Sequence, residues 1–318
     1  MIPPSLQSFS ALILQSRLLG PEELERLLRM MPDARTATPT AFADHLVAVG
    51  ALTRYQADKL LRGVVDGLVF GPFTVLDLLG RGAMGNVYRV VDRRDGALRA
   101  LKVLPPAKAA AEPWRVLRFH REMVLAARVN HPNVARCREF GRQDGIHYLV
   151  FDALPGQTLA DVVEAEGPLP LGRAIRLFAG IAAGLTHIHA QGLIHRDLSP
   201  SNIQVGPNDH PWILDLGLAL LTTERRHQSA AAPDERPVGT AGYLAPEQRR
   251  DSQAVDDRAD VYSLGCCLRY ALIGAVGEGL GGAQPPEVGE LLAAMLAEEP
   301  AERPTAAAVA TALAAAAG

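Results

Sequence analysis

Over the first 65 positions the apolar residues recur at helical spacing: Leu12, Leu18 and Leu19, then Leu24, Leu27 and Leu28, with polar side chains between them. Gly20-Pro21-Glu22-Glu23 stops one helix and starts another with acidic residues in its first turn. Thr53 and Gln56 make a capping-box pattern ahead of Ala57 to Leu61, so this region reads as a small bundle of three or four helices. From Phe70 the pattern changes. Short β-rich runs cover Phe73 to Leu79, Asn86 to Asp92 and Ala97 to Leu104, with Arg94-Asp95-Gly96 as a hairpin turn, which predicts an antiparallel meander. A helix containing Arg118 to Val129 follows, then strands near Ala135 to Gly141 and Ile146 to Asp152. Past Pro155-Gly156 helical spacing dominates, at about Leu171 to Gln191, Arg258 to Ile273, Pro286 to Ala297 and Thr305 to Ala316. The proline-bounded, small-residue stretch from Ser229 to Pro237 has no apolar period and reads as a surface loop.

Length and composition narrow the partners more than the fold. A chain of 318 residues has room for one large domain and a small extra module. Its net charge of -3 and pI near 6.3 provide no field to attract nucleic acid or an anionic membrane, so neither is expected as a partner. The three cysteines, Cys137, Cys266 and Cys267, lack metal-ligand spacing and read as buried reduced thiols. The N-terminus has no basic leader, and no run of about twenty uninterrupted apolar residues occurs. A cytoplasmic protein with no membrane span is expected.

The chemistry concentrates in the second half. His195-Arg-Asp-Leu-Ser-Pro-Ser-Asn202 is followed by Asp215-Leu216-Gly217, which sets three proton- or metal-handling side chains at fixed spacing. Phosphoryl transfer needs a group that orients the attacking hydroxyl and oxygen ligands for magnesium; Asp197 suits the first role, Asn202 and Asp215 the second. Gly80-Arg-Gly-Ala-Met-Gly-Asn-Val87 fits G-x-G-x-x-G-x-V. A dinucleotide fingerprint would need a helix directly after the glycines, whereas a β-rich run follows, so these glycines cap two strands and let backbone N–H groups approach phosphates. On this motif alone a plain glycine-rich hairpin reads equally well. His187 and His189 are two apart on a helix and diverge by about 200°, so they do not form the i, i+4 pair of helical zinc sites.

In order, the glycine loop, Ala100-Leu101-Lys102, Glu122, H-R-D-x-x-x-x-N, D-x-G and Ala245-Pro246-Glu247 resemble the eukaryotic-like Ser/Thr protein kinases of bacteria. The stretch from Leu52 to Gly63 is similar to the region ahead of the kinase domain in many planctomycete kinases. The resemblance implies an α+β, two-lobed kinase fold with a small all-α N-terminal module: residues 1–66 the module, 67–154 the N-lobe, 155–318 the C-lobe. It implies an ATP- and Mg²⁺-dependent protein serine/threonine kinase acting on a protein substrate, with autophosphorylation a further expectation. Asp197, Lys102 and Glu122 would be catalytic, with Glu122 fixing the rotamer of Lys102 on the α- and β-phosphates. Gly80, Gly82, Gly85, Val87, Ala100, Lys102 and Gln204 would line the nucleotide site. Phe151 would stand at the back of the adenine pocket, with backbone groups of Asp152, Ala153 and Leu154 on the adenine edge. Asn202 and Asp215 would hold the metal. Thr240 would bridge to Asp197, Glu247 would pair with Arg303, and Asp260 would brace the catalytic loop.

Four departures from the family pattern bear on activity. Ser199 stands where a lysine usually steadies the γ-phosphate, and losing one such group commonly costs on the order of 10²–10³ in rate. Gln204 replaces an apolar adenine floor, and its amide must find partners or suffer a desolvation cost. Leu216 replaces a phenylalanine, a mild apolar exchange. Gly274 to Glu287 leaves no room for the usual substrate-docking helix. The alternative these raise is a degenerate kinase acting as a signalling scaffold.

Overall fold

The computed structural model describes residues 5–31, 38–82, 85–111, 113–216, 220–221, 240–251, 255–275 and 286–317. Its residues group into two compact units, 1–108 with 139–153, and 109–138 with 154–318.

The first unit opens with four helices, α1 (Leu6–Ser16), α2 (Pro21–Met30), α3 (Pro39–Ala48) and α4 (Arg54–Leu61). Pro21 follows the cap residue Gly20 as expected, because a first-turn proline loses no hydrogen bond. Their apolar stripes converge on Phe9, Ile13, Leu24, Phe42, Leu46 and Leu60, with Leu68 closing the cluster from the connection to the sheet. The sheet comprises β1 (Val69–Phe70), β2 (Phe73–Gly82), β3 (Gly85–Asp92), β4 (Leu98–Leu104), β5 (Cys137–Gln143) and β6 (Ile146–Asp152). Its order is β1-β2-β3-β4-β6-β5, and the pairs β1–β2, β2–β3, β3–β4 and β4–β6 are antiparallel. The expected meander is present, with β2 running three residues further than its apolar alternation suggests. The cause is two register shifts, between Val75 and Asp77 and between Leu78 and Gly80, which leave Leu76 and Leu79 as extra residues and break the period.

Helices dominate the second unit: α6 (Pro113–Ala126), α7 (Leu159–Glu166), α8 (Leu171–Ala190), α9 (Pro246–Arg250), α10 (Arg258–Ile273), α11 (Pro286–Met295) and α12 (Ala306–Ala317), while α5 (Pro106–Ala111) straddles the division. Buried Phe178, Ile181, Leu185 and Ile188 run down α8, against which α12 and α10 pack. Two small sheets carry the loops between them: β7 (Gln157–Thr158), β9 (Ile203–Val205) and β10 (Pro211–Ile213) in the order β10-β9-β7, and β8 (Leu193–Ile194) with β11 (Leu220–Leu221). Pro211 sits on the edge strand, where a missing N–H costs no ladder bond. The sequence reading passed over α7. Its signal was a capping box, Thr158 with Asp161 three residues on, and both reciprocal bonds are present.

Cys266 and Cys267 are buried and free, as expected, and burial pushes both thiols up. Cys137 is half-buried on β5, a correction to its reading as a core thiol, because β5 is the edge strand of the sheet and even its less exposed face is only half-buried. Among the described residues no helix is long and apolar enough to cross a membrane.

Candidate active site

Within the second unit, the segment from His195 to Asn202 is held by a carboxylate from beneath. Asp260, fully buried on α10, accepts the backbone N–H of His195 and of Arg196, each at 2.8 Å, and its Oδ2 lies 2.8 Å from His189 Nε2. Burial by itself would raise the Asp260 pKa; the hydrogen bond and charge of His189, with the His195 ring and amide, outweigh it and hold the carboxyl below its ordinary value. Arg196 sits at φ 66°, the left-handed region that costs a non-glycine residue energy, and its carbonyl accepts from Gln248 Nε2 at 3.0 Å. Gln248 is buried on α9 and also accepts from the Ala245 N–H, so one amide ties that helix to the strained turn. Sequence reasoning missed Gln248, although a glutamine three residues into a helix is a capping signal.

The strained turn presents Asp197. Its Oδ1 accepts from both the N–H and the hydroxyl of Thr240, each at 2.8 Å, the bridge anticipated for Thr240. Asn202 Nδ2 donates to the Asp197 carbonyl at 2.8 Å and to Oδ2 at 3.2 Å. The donor end of the Asn202 amide is thereby turned to Asp197, which leaves its Oδ1 as the end suited to a hard cation. Leu214 is stitched to the same segment: its N–H donates to the Asn202 carbonyl at 2.8 Å, and its carbonyl lies 2.9 Å from His195 Nε2. Asp215 follows at once, exposed and with φ 52°, a second left-handed residue at this site. An amide oxygen beside an exposed carboxylate fits Mg²⁺ donor chemistry.

Ser199 is fully buried, its hydroxyl 3.0 Å from that of Ser201. Gln204, on β9 opposite Trp212, donates through Nε2 to the Pro155 carbonyl at 3.3 Å, so its amide has the partner that burial would demand. Pro155 is followed by Gly156 at φ 97°, where a Cβ would strike the Val205 carbonyl. Arg303 is buried and pairs with Glu247 at 2.6 and 2.9 Å, while its other donors reach the carbonyls of Ala297, Glu298 and Arg258. Every polar end of that buried charge is matched, the condition under which such a pair is tolerated.

In the first unit, β2 and β3 form the glycine hairpin, with Gly80 opposite Val87, Arg81 opposite Asn86, and Gly82 opposite Gly85. Directly opposed residues project to one face, and so do residues two apart. Val87 opposes Lys102, which opposes Leu149; Ala100 opposes Phe151 and Arg99 opposes Asp152. Val87, Ala100, Lys102 and Phe151 therefore share one face, and Lys102 is buried there. The other face carries Val90, Leu101 and Val150, packed in an apolar cluster that includes Tyr55 of α4. Asp152 ends β6, with Ala153 and Leu154 beyond it. Glu122 is on α6 and its side chain lies outside the described residues, as do Ala83, Met84, Gly217 and the stretch holding Thr222, Thr223 and Ser229. Most of the shortened segment after Gly274, residues 276–285, lies outside them too.

A buried carboxylate bracing a strained H-R-D turn, an aspartate steadied by Asn202 and Thr240, and a lysine-bearing antiparallel sheet with a glycine hairpin define a protein of the phosphotransferase-kinase class. Residues 73–277 match the Protein kinase domain family. The chain is 34% identical over 230 residues to the serine/threonine-protein kinase PknE of Mycobacterium bovis, covering 72% of this chain and 38% of that one. It is 36% identical over 220 residues to PknB of Mycobacterium leprae, covering 67% and 33%, and 35% identical over 209 residues to PknD of Mycobacterium tuberculosis, covering 66% and 31%. The chain thus belongs to the protein kinase family, and it spans about a third of the length of these curated relatives.

Proposed function

We propose that the chain is a Ser/Thr protein kinase that transfers the γ-phosphoryl group of ATP to protein hydroxyls. The observation that carries this reading is the Asp197 carboxylate held from two sides, by Asn202 and by Thr240, on a loop pinned to buried Asp260. Asp197 orients the attacking hydroxyl and accepts its proton. A carboxylate fixed before substrate arrives pays little reorganisation cost, which is how preorganised groups contribute. Asn202 and Asp215 hold Mg²⁺, which when bound neutralises charge on the phosphates. Lys102 places the α- and β-phosphates, with Glu122 orienting it, and the glycine hairpin covers them. Val87, Ala100, Phe151, Gln204 and the backbone of residues 152–154 take the adenine.

The functional division follows 1–66, 67–154 and 155–318, as a helical module and two lobes. The likeness of Leu52 to Gly63 to the region preceding planctomycete kinases supports assigning the chain to that subgroup. A cytoplasmic location and autophosphorylation on Thr222, Thr223 or Ser229, where phosphate would meet Arg196, complete the proposal. Lys102→Met and Asp215→Asn should each abolish transfer of labelled γ-phosphate to the protein itself or to a basic protein substrate, with the circular dichroism spectrum unchanged. Undiminished transfer in either variant refutes the roles given to that residue.

A further inference from the structure

We infer that Thr53 and Gln56, at the start of α4, are positioning residues for the glycine-rich hairpin, and that through it the N-terminal helices set affinity for the phosphates of the nucleotide. The inference rests on the nucleotide reading above. It begins with the exposed edge of the sheet. β1 heads the strand order and covers β2 only at Phe73 and Thr74, with one further bond from the Val75 N–H to the Leu68 carbonyl. Beyond Val75, among the described residues, no strand lies beside the outer edge of β2, yet this is the stretch that leads into the hairpin at Gly80.

There α4 replaces the missing strand with side chains. Gln56 Nε2 donates to the Val75 carbonyl at 2.7 Å, and Thr53 Oγ1 donates to the Leu76 carbonyl at 2.6 Å. Leu76 is the extra residue of the first register shift, so its carbonyl is taken at the point where β2 bends. Neither donor is free to wander. Thr53 N–H donates to Gln56 Oε1 at 2.8 Å and Gln56 N–H to Thr53 Oγ1 at 3.2 Å, a reciprocal cap that fixes both rotamers. Gln56 is only 3% exposed, which makes each of its bonds costly to lose.

The second arm is reached as well. Tyr55 lies against Tyr88 of β3, ring centroids 6.5 Å apart, and the Tyr88 hydroxyl accepts from Asn86 Nδ2 at 3.1 Å. Asn86 directly follows Gly85 and opposes Arg81. Thr53, Tyr55 and Gln56 at one helix end thus touch β2 before the glycines and β3 after them, with Tyr55 and Tyr88 on the face opposite Val87, Ala100 and Lys102. A bend held by two hydrogen bonds and flanked by a ring contact fixes the direction in which the hairpin leaves the sheet, and small misplacements of phosphate-binding groups are expensive.

The full chain tests this with Gln56→Glu. Glutamate keeps an acceptor for the Thr53 N–H, so the helix cap survives, but it cannot donate to Val75 and sets an oxygen against that carbonyl. Mg·ATP and adenosine affinities would be measured by calorimetry, and amide exchange over residues 77–89 by mass spectrometry. We expect about tenfold weaker Mg·ATP binding, adenosine affinity within about twofold, faster exchange in the hairpin, and wild-type behaviour for Thr53→Ser, which retains both bonds. Should Gln56→Glu fail to fold, Thr53→Asp, which keeps a cap acceptor for the Gln56 N–H but as a carboxylate has no donor for the Leu76 carbonyl, is read the same way. Unchanged hairpin exchange overturns the inference, and so does an equal loss of ATP and adenosine affinity, the mark of general destabilisation. If the wild type binds no Mg·ATP, the kinase reading fails and the phosphate-affinity part of the inference falls with it, while hairpin exchange still decides whether α4 positions the loop.

Discussion

At the scale of single residues the site depends on carbonyls and amides held by groups with no other freedom. His131 shows how such a group shapes the response to pH. Its Nδ1 accepts the Asn133 N–H at 3.2 Å and its ring stacks on His187 at 5.2 Å; burial first, then the neighbouring imidazole, lower its pKa from the ordinary 6.5. A histidine whose folded pKa is depressed contributes stability that is present above the unfolded value and lost as pH falls through the folded one. The melting temperature of the protein should therefore fall as pH is lowered below 6.5. Asparagine at 131 can still accept from the amide two residues on but does not titrate. His131→Asn should flatten that dependence while leaving the melting temperature at pH 8 little changed, and calorimetric scans across pH check both. The residues 195 to 202 and 215 were legible as a motif. Their strained dihedrals at Arg196 and Asp215 were not, because backbone strain is imposed by the surrounding contacts rather than carried in residue type.

At the scale of elements the glycine hairpin separates what a motif says from what packing requires. Gly80 has open space where a Cβ would lie, whereas a Cβ on Gly85 would strike the Val103 carbonyl of β4. Only the second position is forced to be glycine by the fold around it. Gly85→Ala should push β3 away from β4 at the base of the hairpin and weaken Mg·ATP binding at least about tenfold, while Gly80→Ala has a smaller effect; isothermal titration of the two variants checks the order. The strands were readable from alternation until the bulges in β2, where one extra residue shifts the face of every residue after it. The longer helices of the second unit were readable, but α7 and α9, of eight and five residues, are too short for a period to show.

At the scale of the whole molecule, the four N-terminal helices are part of the same compact unit as the sheet. Leu68, fully buried, belongs to the helical core yet immediately precedes β1, and Arg93 after β3 reaches back to the Arg17 carbonyl at 3.1 Å. Helices and sheet should therefore lose structure together. Leu68→Ala removes a buried side chain at the joint and should cost about 2–5 kcal/mol, with amide protection falling in both α1–α4 and β2–β4. Protection lost in the helices alone would show instead that they open independently of the sheet. In the second unit α8 and α10 pack together, each with a long buried face, and α10 also carries Asp260.

The sequence by itself determined the elements, the family and the identity of the groups that handle protons, phosphate and metal, because these rest on local periodicity and on side-chain chemistry at fixed spacing. Tertiary structure alone decided which of those groups are held, and by what. Gln248 reaches Arg196 across 52 residues and Thr53 reaches Leu76 across 23, whereas the brace from Asp260 to the His195 loop, across 65, was implied beforehand by the family resemblance. Gln204, half-buried, finds an acceptor in the Pro155 carbonyl, 49 residues away in the chain. Each of these contacts satisfies a backbone group that the local chain leaves unpaired, and nothing in a local pattern names the distant residue that will supply the partner.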